Sequence, residues 1–340
     1  VLRGVGAVAQ DDGLTVRLLQ QLLQLGQVER AGHRDRGAGG DGECDVGAAG
    51  GAGRILALDE AGMENALGLA LMQMAGSRQI TQGGDRPAKA IYGAFPNQAG
   101  VQSALLAKAG LAANIDIFGD PAGLYPVIYD GDGDMAALTE GLGDDFFLTK
   151  VGFKPWPTSN HLHPAIEAAG QIAGDGLTPN YVLGVDIAVR KNIRPWCEPL
   201  EERRQPANPA AAANSIPFCT AKALVHGEVT LADFTMDGLR DEDALTISNR
   251  TTYSLDDDIE GAVVTVTMTD GGERTAHIDR PLGSKARPIS TERLEDKFRD
   301  CCGHGITALT VAQIEALMKM IENLEELDDV ATLMKAASGN

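Results

Sequence analysis

A lysine and two histidines fall within one short stretch, Lys154-Pro155-Trp156-Pro157-Thr158-Ser159-Asn160-His161-Leu162-His163. An ammonium group can neutralise a carboxylate while an imidazole moves a proton. That combination suits reactions that remove a proton or carbon dioxide next to a carboxylate, where negative charge builds on the substrate. With a formal charge of -19 on the chain, a small anionic substrate needs such a local convergence of Lys, Arg or His. The same charge excludes nucleic acid as a partner, since phosphate contacts need a basic surface, and it disfavours anionic membranes. His163 directly precedes Pro164, so a second reading is that its ring only hydrogen-bonds the amides left open at a helix start.

Other residues with chemical potential have plainer readings. Cys44, Cys197, Cys219, Cys301 and Cys302 are an odd, scattered set without metal-ligand spacing, so reduced thiols are expected and no metal site. Cys301-Cys302 reads as the end of a helix before Gly303, and Asp256-Asp257-Asp258 as a solvated loop ahead of a strand. Gly131-Asp132-Gly133 lacks the strand-to-helix setting of a phosphate loop.

The elements that position these residues show in the hydrophobic periodicity. Asp59 caps a predicted helix with Met63, Ala66, Leu67, Ala70, Leu71 and Met74 on one face, ending near Gly76-Ser77. A second helix is predicted over Asn97 to Ala109, with Val101, Ala104, Leu105 and Ala109 on its apolar face. After residue 150 strands enter. Val185, Ile187 and Val189 alternate with polar or small neighbours, and Val264, Val266 and Met268 lead through Asp270-Gly271-Gly272 into a return strand at Thr275 to Ile278. Helices are expected after His163-Pro164 and from about Pro217 to His226, with Thr230 and Asp233 forming a capping box. From about Ser290 the pattern is helical again: Leu294 and Phe298 sit one turn apart, and Thr310 with Gln313 caps a helix carrying Ile314, Leu317, Ile321 and Leu324.

Residues 1–46 differ. They contain no Lys and pass from a Gln/Leu stretch into a Gly/Arg/Asp-rich one. A flexible arm and an out-of-frame translation are both compatible with that, and either leaves the segment outside the core. No run of eighteen apolar residues and no signal-peptide pattern occurs, so a cytoplasmic protein is expected.

Five stretches in order resemble the MmgE/PrpD (2-methylcitrate dehydratase) family: Gly53 to Ala70, Ala88 to Gly100, Gly141 to Ala169, Ser215 to Phe234 and Arg287 to Arg299. The resemblance implies a mainly α-helical domain (47–150), an inserted α+β domain (151–288) and C-terminal helices (289–340) that return to the helical domain. It further implies a homodimer without cofactor or metal, acting on a small di- or tricarboxylate by carbanion formation next to a carboxylate. Dehydration of a 2-methylcitrate-like substrate is the first choice. An epimerase, a decarboxylase, or an inactive form that only binds carboxylates or dimerises are the alternatives. By position in the motifs, Lys89 and Lys154 become substrate-binding lysines facing one cleft, His163 and then His161 the catalytic candidates, and Ser159 stands where members carry Cys or His. Phe218 stands where the decarboxylase has a tyrosine. The stretch Gly37 to Val46 holds no histidine, although the family places an acid/base histidine just before the segment matching Gly47. Little or no dehydratase activity is therefore expected of this chain, and the 59 to 76 helix is expected to expose an apolar face.

Overall fold

The computed structural model describes residues 42–74, 93–113, 116–128, five isolated positions between 131 and 144 besides Gly131 itself, 151–174 and 176–339. The chain divides into two compact units, residues 1–150 and 151–340. Most of the 1–46 segment, and Lys89, lie outside the described residues.

In the first unit, α1 (Gly42–Ile55), α2 (Glu60–Gln73), α3 (Ala94–Lys108) and the short α4 (Leu124–Ile128) pack together. Asp59 caps α2 as its sequence predicts, its carboxylate accepting from the Gly62 N–H at 2.8 Å. The expected exposed face on this helix is not there. Met63, Leu67 and Ala70 are buried with Val46, Ala49, Ile117, Leu124 and Tyr125, while Ala66 and Leu69 pack on Ala104 and Ala107 of α3. Partners absent from the sequence reading come from α1 and from the chain around Ile117. α1 starts at Gly42, inside the segment set apart by composition. A Cβ at Gly53 would meet the Met63 thioether at 2.9 Å, so the absence of a side chain at this position lets α1 approach α2 closely. The face of α3 also differs. Gly100, Ser103, Ala104 and Ala107 are buried, and Val101 and Leu105 are exposed.

The second unit holds a mixed four-stranded sheet in the order β2-β1-β3-β4, formed by β1 (Val182–Val189), β2 (Thr251–Leu255), β3 (Ala262–Met268) and β4 (Glu273–Ile278). β1 runs parallel to β2 and antiparallel to β3, and β3 with β4 is the predicted hairpin, closed through Asp270. Val185, Ile187 and Val189 point into a core with Val264 and Val266, against α5 (His163–Ala173) and α6 (Ile216–His226). α6 is buried on every side from Ile216 to Leu224, capped by Ser215 and stopped by Gly227 in the left-handed region. After α7 (Glu242–Asn249), the chain ends in α8 (Thr291–Gly303), α9 (Val311–Glu322) and α10 (Ala331–Ala337). Both predicted capping boxes form, Thr230 with Asp233 and Thr310 with Gln313. The fold is thus helical with a small mixed sheet. No helix among the described residues is long and apolar enough to cross a membrane.

Candidate functional site

Pro155 and Pro157 have no backbone N–H, so the segment Lys154 to Thr158 can satisfy little of its own hydrogen bonding and must be anchored from outside. The anchors are many. Phe153 N–H donates to the Gly283 carbonyl at 2.9 Å, and Ser159 N–H to the Ala213 carbonyl at 3.1 Å. The Trp156 indole donates to Glu228 at 2.7 Å, and Arg293 of α8 donates to the same carboxylate oxygen at 2.5 Å while its guanidinium lies 5.5 Å from the Trp156 ring. Lys297 of α8 donates to the Lys154 carbonyl at 2.6 Å. The loop is therefore held at several points by distant elements, as a site on a rigid scaffold requires.

Among the candidates, Lys154 and His161 are exposed, Ser159 is half-buried and His163 is 3 % exposed. Lys154 Nζ donates to the Thr158 carbonyl at 3.0 Å, curling the ammonium back over the loop. His161 sits on a single 3-10 turn, Asn160–Leu162, with its ring centroid 4.0 Å from that of Trp196. Partial burial, and next the Lys154 charge, lower its pKa. His163 opens α5 ahead of Pro164, edge-on to Trp156 with centroids 5.4 Å apart. Burial pushes its pKa down to about 4; the Lys154 and Lys297 charges act in the same direction, and main-chain hydrogen bonding at Trp156 and Thr158 against it. His163 is thus a neutral imidazole beneath the loop at neutral pH, and its Nε2 has no hydrogen-bond partner among the described residues.

The structure brings Lys154, Ser159, His161 and His163 together at one loop-to-helix junction. Trp156, Glu228, Arg293 and Lys297 join them and escaped the sequence reading. The only signal for Arg293 and Lys297 was their place in the Arg287 to Arg299 motif. A groove of about 240 Å³ beside the loop is lined by Pro155, Pro157, Glu228, Arg293, Lys297 and Cys301. The same unit holds a second charged cluster. Lys222, 2 % exposed, reaches Asp233 at 3.0 Å and Asp241 at 2.8 Å, and Asp241 also meets His226 Nε2 at 2.6 Å. Burial pushes Asp241 up, but hydrogen bonds from Lys222, His226 and the Ala244 N–H outweigh it and hold the carboxyl at about 2. Every member has partners, so this cluster is a structural tie between α6 and α7. Phe218, where the decarboxylase was expected to differ, is fully buried in the core.

Residues 156–327 match the MmgE/PrpD C-terminal domain, and residues 34–135 the MmgE/PrpD N-terminal domain. The chain belongs to the MmgE/PrpD family. The C-terminal match begins at Trp156 and takes in Ser159, His161, His163, Arg293 and Lys297. The N-terminal match begins at residue 34, inside the segment whose composition stands apart. Similar members of the family are the cis-aconitate decarboxylase of Aspergillus terreus, 24% identical over 304 residues (83% of this chain, 61% of the relative), and that of Homo sapiens, 24% identical over 248 residues (71% and 50%). The chain spans 61% of the length of the first of these and half of the second.

Proposed function

We propose that the Lys154 to His163 loop binds a carboxylate of a small tricarboxylate and that the chain contributes to a lyase site of the MmgE/PrpD type. The observation that carries this is an exposed ammonium on a loop fixed by α8 and Glu228, with His161 beside it, in a chain whose overall charge otherwise repels anions. In this reading Lys154 neutralises the carboxylate next to the reacting carbon. The electron pair left when that carbon loses a proton or carbon dioxide is stabilised there, and His161, the exposed imidazole, exchanges the proton. His163, buried and neutral, supports the loop from below.

The relatives named for cis-aconitate favour decarboxylation of a cis-aconitate-like substrate over 2-methylcitrate dehydration. A second reading, binding without turnover, is favoured by Ser159, a hydroxyl where members carry Cys or His. The test incubates the chain separately with cis-aconitate and 2-methylcitrate and follows both by proton NMR, alongside carbon dioxide release. Consumption of cis-aconitate with release of carbon dioxide supports the lyase reading, and line broadening without turnover the binding reading. Neither binding nor turnover of either compound overturns both.

A further inference from the structure

We propose that Lys297 is a positioning residue for Lys154, acting from α8 through the main chain of the loop. The two lysines are 143 residues apart in sequence, yet Lys297 Nζ lies 2.6 Å from the Lys154 carbonyl oxygen. That carbonyl begins the Lys-Pro-Trp-Pro stretch, where two prolines remove the donors that would otherwise fix the turn. A charged donor makes the stronger kind of hydrogen bond to a carbonyl, and here it sets the peptide plane from which the Lys154 side chain departs. The neighbouring contact is of the same kind. One turn earlier on α8, Arg293 holds Glu228, which accepts a hydrogen bond from the Trp156 indole N–H. So α8 holds the loop at two residues either side of Pro155, Lys154 by its carbonyl and Trp156 by its side chain through Arg293 and Glu228. Within the loop, Lys154 closes the circuit by donating to Thr158. The Lys297 charge also reaches His163, where it helps to keep the ring neutral. Lys297 itself is half-buried against the groove, so its head group is directed onto the loop and not spread in solvent.

This inference rests on the reading of Lys154 as a carboxylate-binding residue, but part of its test does not. Hydrogen exchange of the 151–162 segment is compared in the full chain, in Lys297→Met, in Lys297→Arg and in Lys319→Met, the last removing an exposed lysine of α9. Lys297→Met is expected to speed exchange in this segment about tenfold while β1 and β3 keep their protection. Lys297→Arg, which retains a charged donor, restores the slow exchange, and Lys319→Met changes nothing. In parallel, cis-aconitate binding read from Trp fluorescence weakens about tenfold in Lys297→Met and recovers in Lys297→Arg. Should Lys297→Met loosen the whole unit, Lys297→Gln, an uncharged donor, is measured in its place against Lys297→Arg. Unchanged exchange at 151–162 in both uncharged variants overturns the proposal. If the unaltered chain binds no cis-aconitate, the proposed function fails, and the exchange comparison still decides the role of Lys297.

Discussion

Replacing His163 by Gln should remove a measurable part of the pH dependence of the second unit's stability. An unfolded chain carries a histidine with a pKa of 6.5, and the folded one holds His163 at about 4, chiefly because the ring is buried. The folded value is the lower, so between these limits the unfolded state binds more protons. The stability is therefore complete above pH 6.5 and drains away as the pH falls towards 4. Linkage puts the loss at about 1.3 kcal/mol between pH 7.5 and pH 5.5, and about 3 kcal/mol once the pH is below 4. Both tryptophans of the chain, Trp156 and Trp196, lie in this unit. Urea unfolding followed by Trp fluorescence thus reports on it alone, and each tryptophan also touches one of the two loop histidines. The expected result is a smaller slope of unfolding free energy against pH in His163→Gln, with His161→Gln as the control for its more exposed neighbour. An unchanged slope in His163→Gln would refute the placement of a neutral imidazole under the loop.

Two further perturbations probe the scaffold. Lys222→Met leaves Asp233 without its cation in a largely buried place and should destabilise the unit by about 3–5 kcal/mol, read as a lower urea midpoint. Gly283→Ala places a Cβ 1.9 Å from the Phe153 carbonyl oxygen at a residue with φ of +83°, where neither backbone can yield cheaply. It should cost about 2 kcal/mol or more and raise hydrogen exchange at Phe153, one residue before Lys154.

What the sequence made legible was local chemistry. Asp59 and the two capping boxes act on residues three or four away, so their types and spacing carry the signal. The hairpin from Ala262 to Ile278 follows from alternation and a Gly-rich turn. What failed depends on partners far along the chain. The buried face of α3 is built from Gly100, Ser103, Ala104 and Ala107 because α3 packs closely on α1 and α2, whereas hydrophobicity alone selects Val101 and Leu105. α1 was hidden by its glycine content, of which Gly53 is the one that its close approach to Met63 uses. At the candidate site, Lys154, Ser159, His161 and His163 were named from their places in the Gly141 to Ala169 motif, where they follow one another closely along the chain. Lys297, Arg293 and Glu228 meet the loop only through folding, and a lysine on an amphipathic helix gives no sign that its head group meets a distant carbonyl.

The measurement that bears most directly on the carboxylate-binding loop is calorimetric titration of cis-aconitate into the chain and into Lys154→Met at pH 7.5. A charge-assisted contact is worth about 1.5–3 kcal/mol, so the substitution is expected to weaken binding about 10- to 150-fold with circular dichroism unchanged. Equal affinity in the two proteins, or no binding in either, would contradict the account.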